Sequence, residues 1–194
     1  MKTIDKHTIN EIIINKSRFI CLLYRINNET DVDEILSKVK KEYKDATHYC
    51  YAYIISTIKR FNDDGEPSGT AGMPILNVLE NNDLDYTLCI VVRYFGGIKL
   101  GAGGLVRSYT KAVTTTLNNT NIVTLHKGHK IIIEFNYDKT KLIDNLLKDI
   151  KIVDKEFLET IFYTILISDE NYHSLENILQ ENSLTITKKE SLFI

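Results

Sequence analysis

The sequence predicts an α+β chain in two parts, on three observations. Some segments alternate apolar and polar residues with a period of two, others show the i, i+3, i+4 apolar spacing of amphipathic helices, and the rhythm changes after Lys127–Gly128. The 194 residues suffice for one domain or two small ones, and 43% hydrophobic with 26% charged content is that of an ordinary globular protein. No apolar run approaches the roughly 18 residues that span a bilayer, and charges interrupt MKTIDKHTINEIII where a signal peptide would need its hydrophobic stretch. A cytoplasmic chain without membrane contact is expected. Cys21, Cys50 and Cys89 are widely spaced and each lies in an apolar segment, which suits reduced buried thiols better than a disulfide framework.

The elements follow in order. TINEIIINKSRFICLLYRI alternates and reads as two strands joined near Asn15–Ser17. DVDEILSKVKKEYKDA has helical spacing from Val32 to Lys44, with Asp31 as N-cap and Glu34 completing a capping box. THYCYAYIIST returns to a period of two, which puts His48 and Cys50 on one strand face and Tyr49, Tyr51 and Tyr53 on the other. KRFNDDGEPSGTAG holds the turn formers of a long loop, and MPILNVLENN reads as a short helix with Pro74 in its first turn. YTLCIVVRYF is a buried-type strand. From Gly104 to Leu117, Leu105, Val106, Tyr109, Ala112, Val113 and Leu117 fall on one helical face. Beyond Gly128 come KIIIEFNY (strand), KTKLIDNLLKDI (helix), IVDKEF and TIFYTILIS (strands), NYHSLENILQEN (helix) and LTITKKESLFI (strand). That order, β-α-β-β-α-β over residues 128–194, is the ferredoxin-like arrangement, with a continuation of the first sheet as the alternative.

Charge is unevenly placed. The formal net charge is −2, yet no Asp or Glu lies between Asp85 and Glu134, while Arg93, Lys99, Arg107, Lys111, Lys127 and Lys130 all do. At the centre of that stretch sits GGIKLGAGG. A glycine-rich turn opening into a helix presents free N–H groups and the positive end of the helix dipole, so an anion site is one reading and tight packing of the turn the other. The loop is no Walker A sequence, because Gly96 and Gly101 are followed by Ala102 and Gly103, and no dinucleotide fingerprint, because Val106 stands where the third glycine should be. The candidate anion or nucleic-acid contacts are Arg93, Gly96, Gly97, Lys99, Gly101, Gly103, Gly104, Arg107 and Lys111. The confinement of positive charge to this stretch argues against a protein that coats nucleic acid uniformly.

His48, Asp64, Glu66 and Thr70 are accessory candidates. The acidic loop lacks the alternating carboxylates of an EF-hand, and Asp-Gly with Glu-Pro is ordinary turn chemistry. In a second reading its acids neutralise or gate the basic loop. His48 and Cys50 make two ligands, too few for zinc, and as same-face neighbours they would meet only loosely as a nucleophilic pair. No metal and no cofactor is expected. The tyrosine stripe either stacks bases or lies half-covered under a helix.

KSRFI (16–20), THYCYAY (47–53), DDGEPSGTAGMP (63–74) and VVRYFGGIKLGAGGLVRSY (91–109) together resemble the Impact/YigZ family, over essentially the whole chain. The resemblance implies a first domain, 1–127, with the two-layer α/β fold shared by a small-subunit ribosomal protein and the GHMP kinases. It implies a second, 128–194, similar to the ferredoxin-like carboxy-terminal modules of elongation factor G. The matching motif positions are Arg18, Cys50, Gly65, Gly69, Gly72 and Tyr109 together with the candidates above except Lys99 and Lys111, and the resemblance assigns none of them a catalytic role. Bacterial members are commonly proposed to bind nucleic acid or act near the ribosome. Eukaryotic relatives regulate translation through a stress-kinase pathway with an extra amino-terminal domain, a partnership not carried over here.

The leading expectation is a non-enzymatic binder of RNA or the ribosome, with a role in translation regulation. The alternative is an enzyme acting on a small phosphorylated or carboxylated molecule, with His48, Asp64 or Glu66 supplying acid–base chemistry. A third class, a protein-binding adaptor using the acidic second domain, leaves the glycine loop without a task.

Overall fold

A computed structural model describes residues 1–182 and 184–193, which fall into two compact units, Met1–Thr124 and Leu125–Ile194. The first unit runs β1 (Lys2–Ile4), β2 (Thr8–Ile14), β3 (Ser17–Arg25), α1 (Glu29–Glu42), β4 (His48–Ile55), β5 (Ile58–Asn62), α2 (Gly72–Asn81), β6 (Thr87–Tyr94), α3 (Gly101–Leu117) and β7 (Ile122–Thr124). Its main sheet is antiparallel throughout, in the order β2-β3-β6-β4-β5, while β1 and β7 pair separately. The β2–β3 hairpin turns through Asn15 and Lys16, both at positive φ (46° and 64°), the pairing of left-handed residues that matches strand twist in a two-residue loop.

The two faces of the central strands carry different partners. Phe19, Cys21 and Leu23 of β3 and Cys89 and Val91 of β6 pack with Ile75 and Leu79 of α2 and Tyr109 and Val113 of α3. The alternate residues, Ile20 and Leu22 with Leu88, Ile90 and Val92, pack with Val32 and Val39 of α1. Helices therefore cover both sides of the sheet, which corrects the two-layer expectation. The reason lies in β6, whose residues from Thr87 to Arg93 are all buried and leave no face for water. α1 also covers the tyrosine stripe: Tyr53 is buried, and Tyr49 and Tyr51 pack against the same core. No open stacking platform remains there.

Local boundaries shift for identifiable reasons. α1 starts at Glu29, because Asn28 and not Asp31 is the N-cap; its side chain accepts the Asp31 N–H at 3.0 Å, and the Asp31 carboxylate accepts the Asn27 N–H at 2.7 Å. β5 occupies the start of the segment read as a long loop, paired to β4 from Ile55↔Ile58 to Tyr51↔Asn62. α3 begins at Gly101, three residues before the expected start, so Gly101 and Gly103 are helical and not loop.

The second unit runs β8 (Lys127–Phe135), α4 (Thr140–Leu146), β9 (Lys151–Phe157), β10 (Ile161–Ser168), α5 (Asp169–Glu181) and β11 (Thr185–Phe193). Its strands form their own antiparallel sheet, order β11-β8-β10-β9, over a core in which Ile131, Ile133 and Ile165 meet Ile143, Leu175 and Leu179. Ile194, the last residue of the final strand segment read from the sequence, lies outside the described residues. Among the described residues no helix is long and apolar enough to cross a membrane.

Candidate functional site

The glycine cluster of the first unit does three different jobs. Gly96 is a close approach: a Cβ there would lie 2.0 Å from the Lys16 backbone, and its N–H donates to Ser17 Oγ at 3.1 Å, which staples the loop after β6 to the β2–β3 turn. Gly97 and Gly101 hold positive φ, 83° and 69°, facing open space. Gly103 and Gly104 form the first turn of α3, where a Cβ on Gly104 would come within 3.0 Å of Leu100 Cβ. Part of the motif is thus packing and part is backbone left open.

Between this loop and the start of β4 lies a cleft of about 360 Å³. Thr47, His48, Glu66, Pro67, Arg93, Phe95, Lys99, Leu100, Gly101, Ala102 and Leu105 line it. Arg93 and Glu66 are both buried and ion-paired, Arg93 Nη1 donating to Glu66 Oε1. Arg93 Nη2 also donates to Ser17 Oγ at 3.4 Å, and the guanidinium lies against the rings of Phe19 and Phe95. The same Glu66 oxygen accepts the Tyr109 hydroxyl at 2.8 Å. Its other carboxylate oxygen, Oε2, accepts no hydrogen bond among the described residues. Arg93 Nε is buried and without a partner.

His48 stands beside this pair, Nε2 3.9 Å from Glu66 Oε1. Its Nδ1 is 2.7 Å from the Asp64 carbonyl, which can only accept, so Nδ1 carries a proton and Nε2 of the neutral ring is a lone-pair acceptor. The Cys50 thiol is 3.0 Å from the Asp63 carbonyl and 3.3 Å from the Tyr109 hydroxyl. Burial first, and then the neighbouring acids, push this thiol up to about 12, and burial holds the Tyr109 hydroxyl well above its ordinary range. Neither is an activated nucleophile at neutral pH.

The acidic loop spends its charges on itself. The Asp63 carboxylate accepts three backbone N–H groups, from Gly69 (2.9 Å), Ala71 (3.0 Å) and Gly72 (2.8 Å), and so organises both the loop and the start of α2. Asp64 accepts the Tyr49 N–H at 2.7 Å, and Thr70 Oγ1 donates to the Pro67 carbonyl at 2.6 Å. Asp64 and Thr70 are structural at these positions, and among the described residues no group of three or more His, Cys, Asp or Glu side chains could hold a metal ion.

The cations divide. Arg93 is matched by Glu66, so its charge does not stand free. Lys99, Arg107 and Lys111 are exposed, and among the described residues none of them makes an ion pair. Lys99 lines the cleft, whereas Arg107 and Lys111, one turn apart on α3, lie outside it. α3 has no side-chain cap and no acid in its first turn, so its 17 residues end in unsatisfied amides and an uncompensated positive pole beside Lys99. Lys127 and Lys130 lie on β8, in the second unit. Sequence reasoning missed Asp63, Ser17 and Phe95; an Asp shortly before a helix start is a capping signal, but the other two are recognised only through long-range contacts.

The sequence matches the family model described as the Impact N-terminal domain over residues 15–117, a span that contains every residue of the cleft. It is 42% identical to "IMPACT family member YvyE" of Bacillus subtilis over 173 residues, covering 88% of this chain and 78% of that one. It is 33% identical to an "IMPACT family member" of Haemophilus influenzae over 177 residues, covering 88% and 86%. A solved structure titled "Crystal structure of an hypothetical protein" superposes with a TM-score of 0.66 at 28% identity, covering 95% of each chain. The matched domain and the relatives aligned along most of their length agree: this chain belongs to the Impact family.

Proposed function

We propose that this Impact-family protein binds RNA, on or near the ribosome in the cytoplasm, through the open end of α3 in its first unit. Phosphates meet the α3 N-terminal amides, Lys99, Arg107 and Lys111, while Gly97 and Gly101 keep the backbone accessible and Gly96, Gly103 and Gly104 set its course. The observation that carries the reading is the set of three exposed cations without ion-pair partners, Lys99 just before the uncapped N-terminus of α3 and Arg107 and Lys111 along that helix, in a stretch free of acids. The setting in translation regulation rests on the family resemblance. By the same resemblance, and by the strand order β11-β8-β10-β9, the second unit is of ferredoxin-like type. Titration of a labelled single-stranded RNA at several salt concentrations tests the reading: affinity that falls steeply with salt supports it, and absence of binding at low salt overturns it.

A second reading, a small anionic metabolite held in the cleft, is favoured by the volume of about 360 Å³, at the lower end of pockets that hold whole small molecules. His48 and Glu66 would then face the substrate. A nucleophile is missing from it, since Cys50 and Tyr109 are buried and held protonated.

A further inference from the structure

Phosphate contacts at α3 leave the interior of the cleft unexplained. Its walls are largely apolar, with Phe95, Leu100, Ala102, Leu105 and Pro67 around a floor of Glu66, Arg93 and His48. Two features of that floor are unsatisfied. Glu66 Oε2 belongs to a side chain only 4% exposed and accepts nothing, and His48 Nε2 in the neutral ring is a second acceptor held in place by the Nδ1 hydrogen bond to Asp64. Arg93 and Tyr109 bind the other Glu66 oxygen and fix the direction of Oε2. Both acceptors open onto the cleft, where water can reach them, so a ligand that displaces that water must bring N–H groups of its own; the buried Arg93 Nε, a donor without a partner, adds room for one acceptor atom.

We infer that the cleft takes one unpaired nucleobase bearing an exocyclic amino group, its ring against Phe95 and Leu100, its N–H groups toward Glu66 and His48, and its phosphate against Lys99 and the start of α3. Three physical points join here. A half-exposed aromatic beside apolar walls offers a stacking surface for a base. A carboxylate oxygen and a neutral imidazole nitrogen accept and do not donate, so they suit the amino groups of cytosine, adenine and guanine and leave uracil, whose Watson–Crick edge has a single N–H between two carbonyls, poorly matched. The positive pole of α3 opens on the same cleft through Gly101 and Ala102, which places an anion site beside the base site. An unpaired residue of an RNA strand and a free nucleotide share this chemistry. The inference rests on the phosphate-binding reading above and adds to it a preference among bases.

Cytidine against uridine isolates the claim, because the two bases differ at the 4-position and at N3 while stacking similarly. Labelled oligo(C) and oligo(U) of equal length are titrated into the full chain at one salt concentration and at pH 7.5, with cytidine and uridine monophosphates as competitors. The expected result is about tenfold tighter binding of oligo(C), the scale of one hydrogen bond to a charged acceptor. Competition by cytidine monophosphate assigns the cleft to a free nucleotide, whereas its failure beside a retained oligo(C) preference assigns it to a strand residue; both support the base site. Equal affinity for the two oligonucleotides overturns the base site and leaves phosphate binding standing. No binding of either overturns both. Ala102→Phe, which fills the cleft from an exposed position, should bring oligo(C) down to the oligo(U) level; a variant that keeps the full preference contradicts the placement. This arm leaves the Glu66–Arg93 pair untouched, so the fold is not at stake in it.

Discussion

The two loops that hold most of the glycines, residues 63–72 and 95–104, have opposite charge and opposite accounts of their polar groups. In the acidic loop each carboxylate is engaged: Asp63 with three N–H groups, Asp64 with Tyr49, and Glu66 with Arg93 and Tyr109. In the basic loop and the helix that follows, Lys99, Arg107, Lys111 and the first amides of α3 are paired with nothing among the described residues that offers a negative charge. The contrast teaches that a run of charge identifies a site only after its internal partners are counted. By that count the acidic loop is held by internal bonds, with one free oxygen on Glu66, and the basic end is exposed charge without an internal partner among the described residues.

The comparison can be broken most forcefully at the buried pair. Glu66→Ala leaves the Arg93 guanidinium buried without a counter-charge, and urea unfolding should show a loss of about 3–5 kcal/mol. A loss under about 1 kcal/mol would mean that Arg93 turns to solvent in the cleft and is available to ligands after all. Asp63→Ala comes next: three N–H groups lose a charged acceptor, and about 2–3 kcal/mol should go, with α2 fraying from Gly72.

Alkaline pH gives a smaller effect of defined sign. The folded Cys50 pKa, about 12, lies above its ordinary value of 9.0, so the unfolded chain loses this proton first. The contribution is fully present below pH 9 and fades as pH rises toward 12, with a slope of about 1.4 kcal/mol per pH unit. Comparing wild type with Cys50→Ala between pH 9 and 10 isolates it, because the Cys89 thiol, also raised by burial, and the raised tyrosines, including Tyr24 and Tyr53, are common to both proteins. Parallel stability profiles for the two proteins would show that the thiol is not shielded.

Least of all should change when the open cations are removed. Lys99→Ala, Arg107→Ala and Lys111→Ala, singly, should each shift unfolding by less than about 0.5 kcal/mol, since none makes an internal ion pair.

Much of this was legible in the chain itself. The period-two rhythm of THYCYAY placed His48 and Cys50 together and the tyrosines opposite, and the structure has both sets on those faces. Local signals failed where distant residues decide. β1 and β7 are three residues each and exist because Lys2 meets Thr124 across the whole first unit. β5 was hidden among turn formers because its order comes from pairing with β4. The six cations between Asp85 and Glu134 looked like one field, but Arg93 is claimed by a glutamate 27 positions earlier and Lys127 and Lys130 belong to another unit. Gly101 and Gly103 looked like loop because helix propensity argues against them, whereas the positive φ of Gly101 accounts for a glycine at that position.

The most direct test is the salt dependence of single-stranded RNA affinity for wild type and for the Lys99→Ala/Arg107→Ala/Lys111→Ala triple variant, with unfolding measured alongside. Three lost phosphate contacts should flatten the slope of log affinity against log salt by about 2, at unchanged stability. An unchanged slope in a folded variant would contradict the account, because the cations left open by the fold would then have no polyanion to meet.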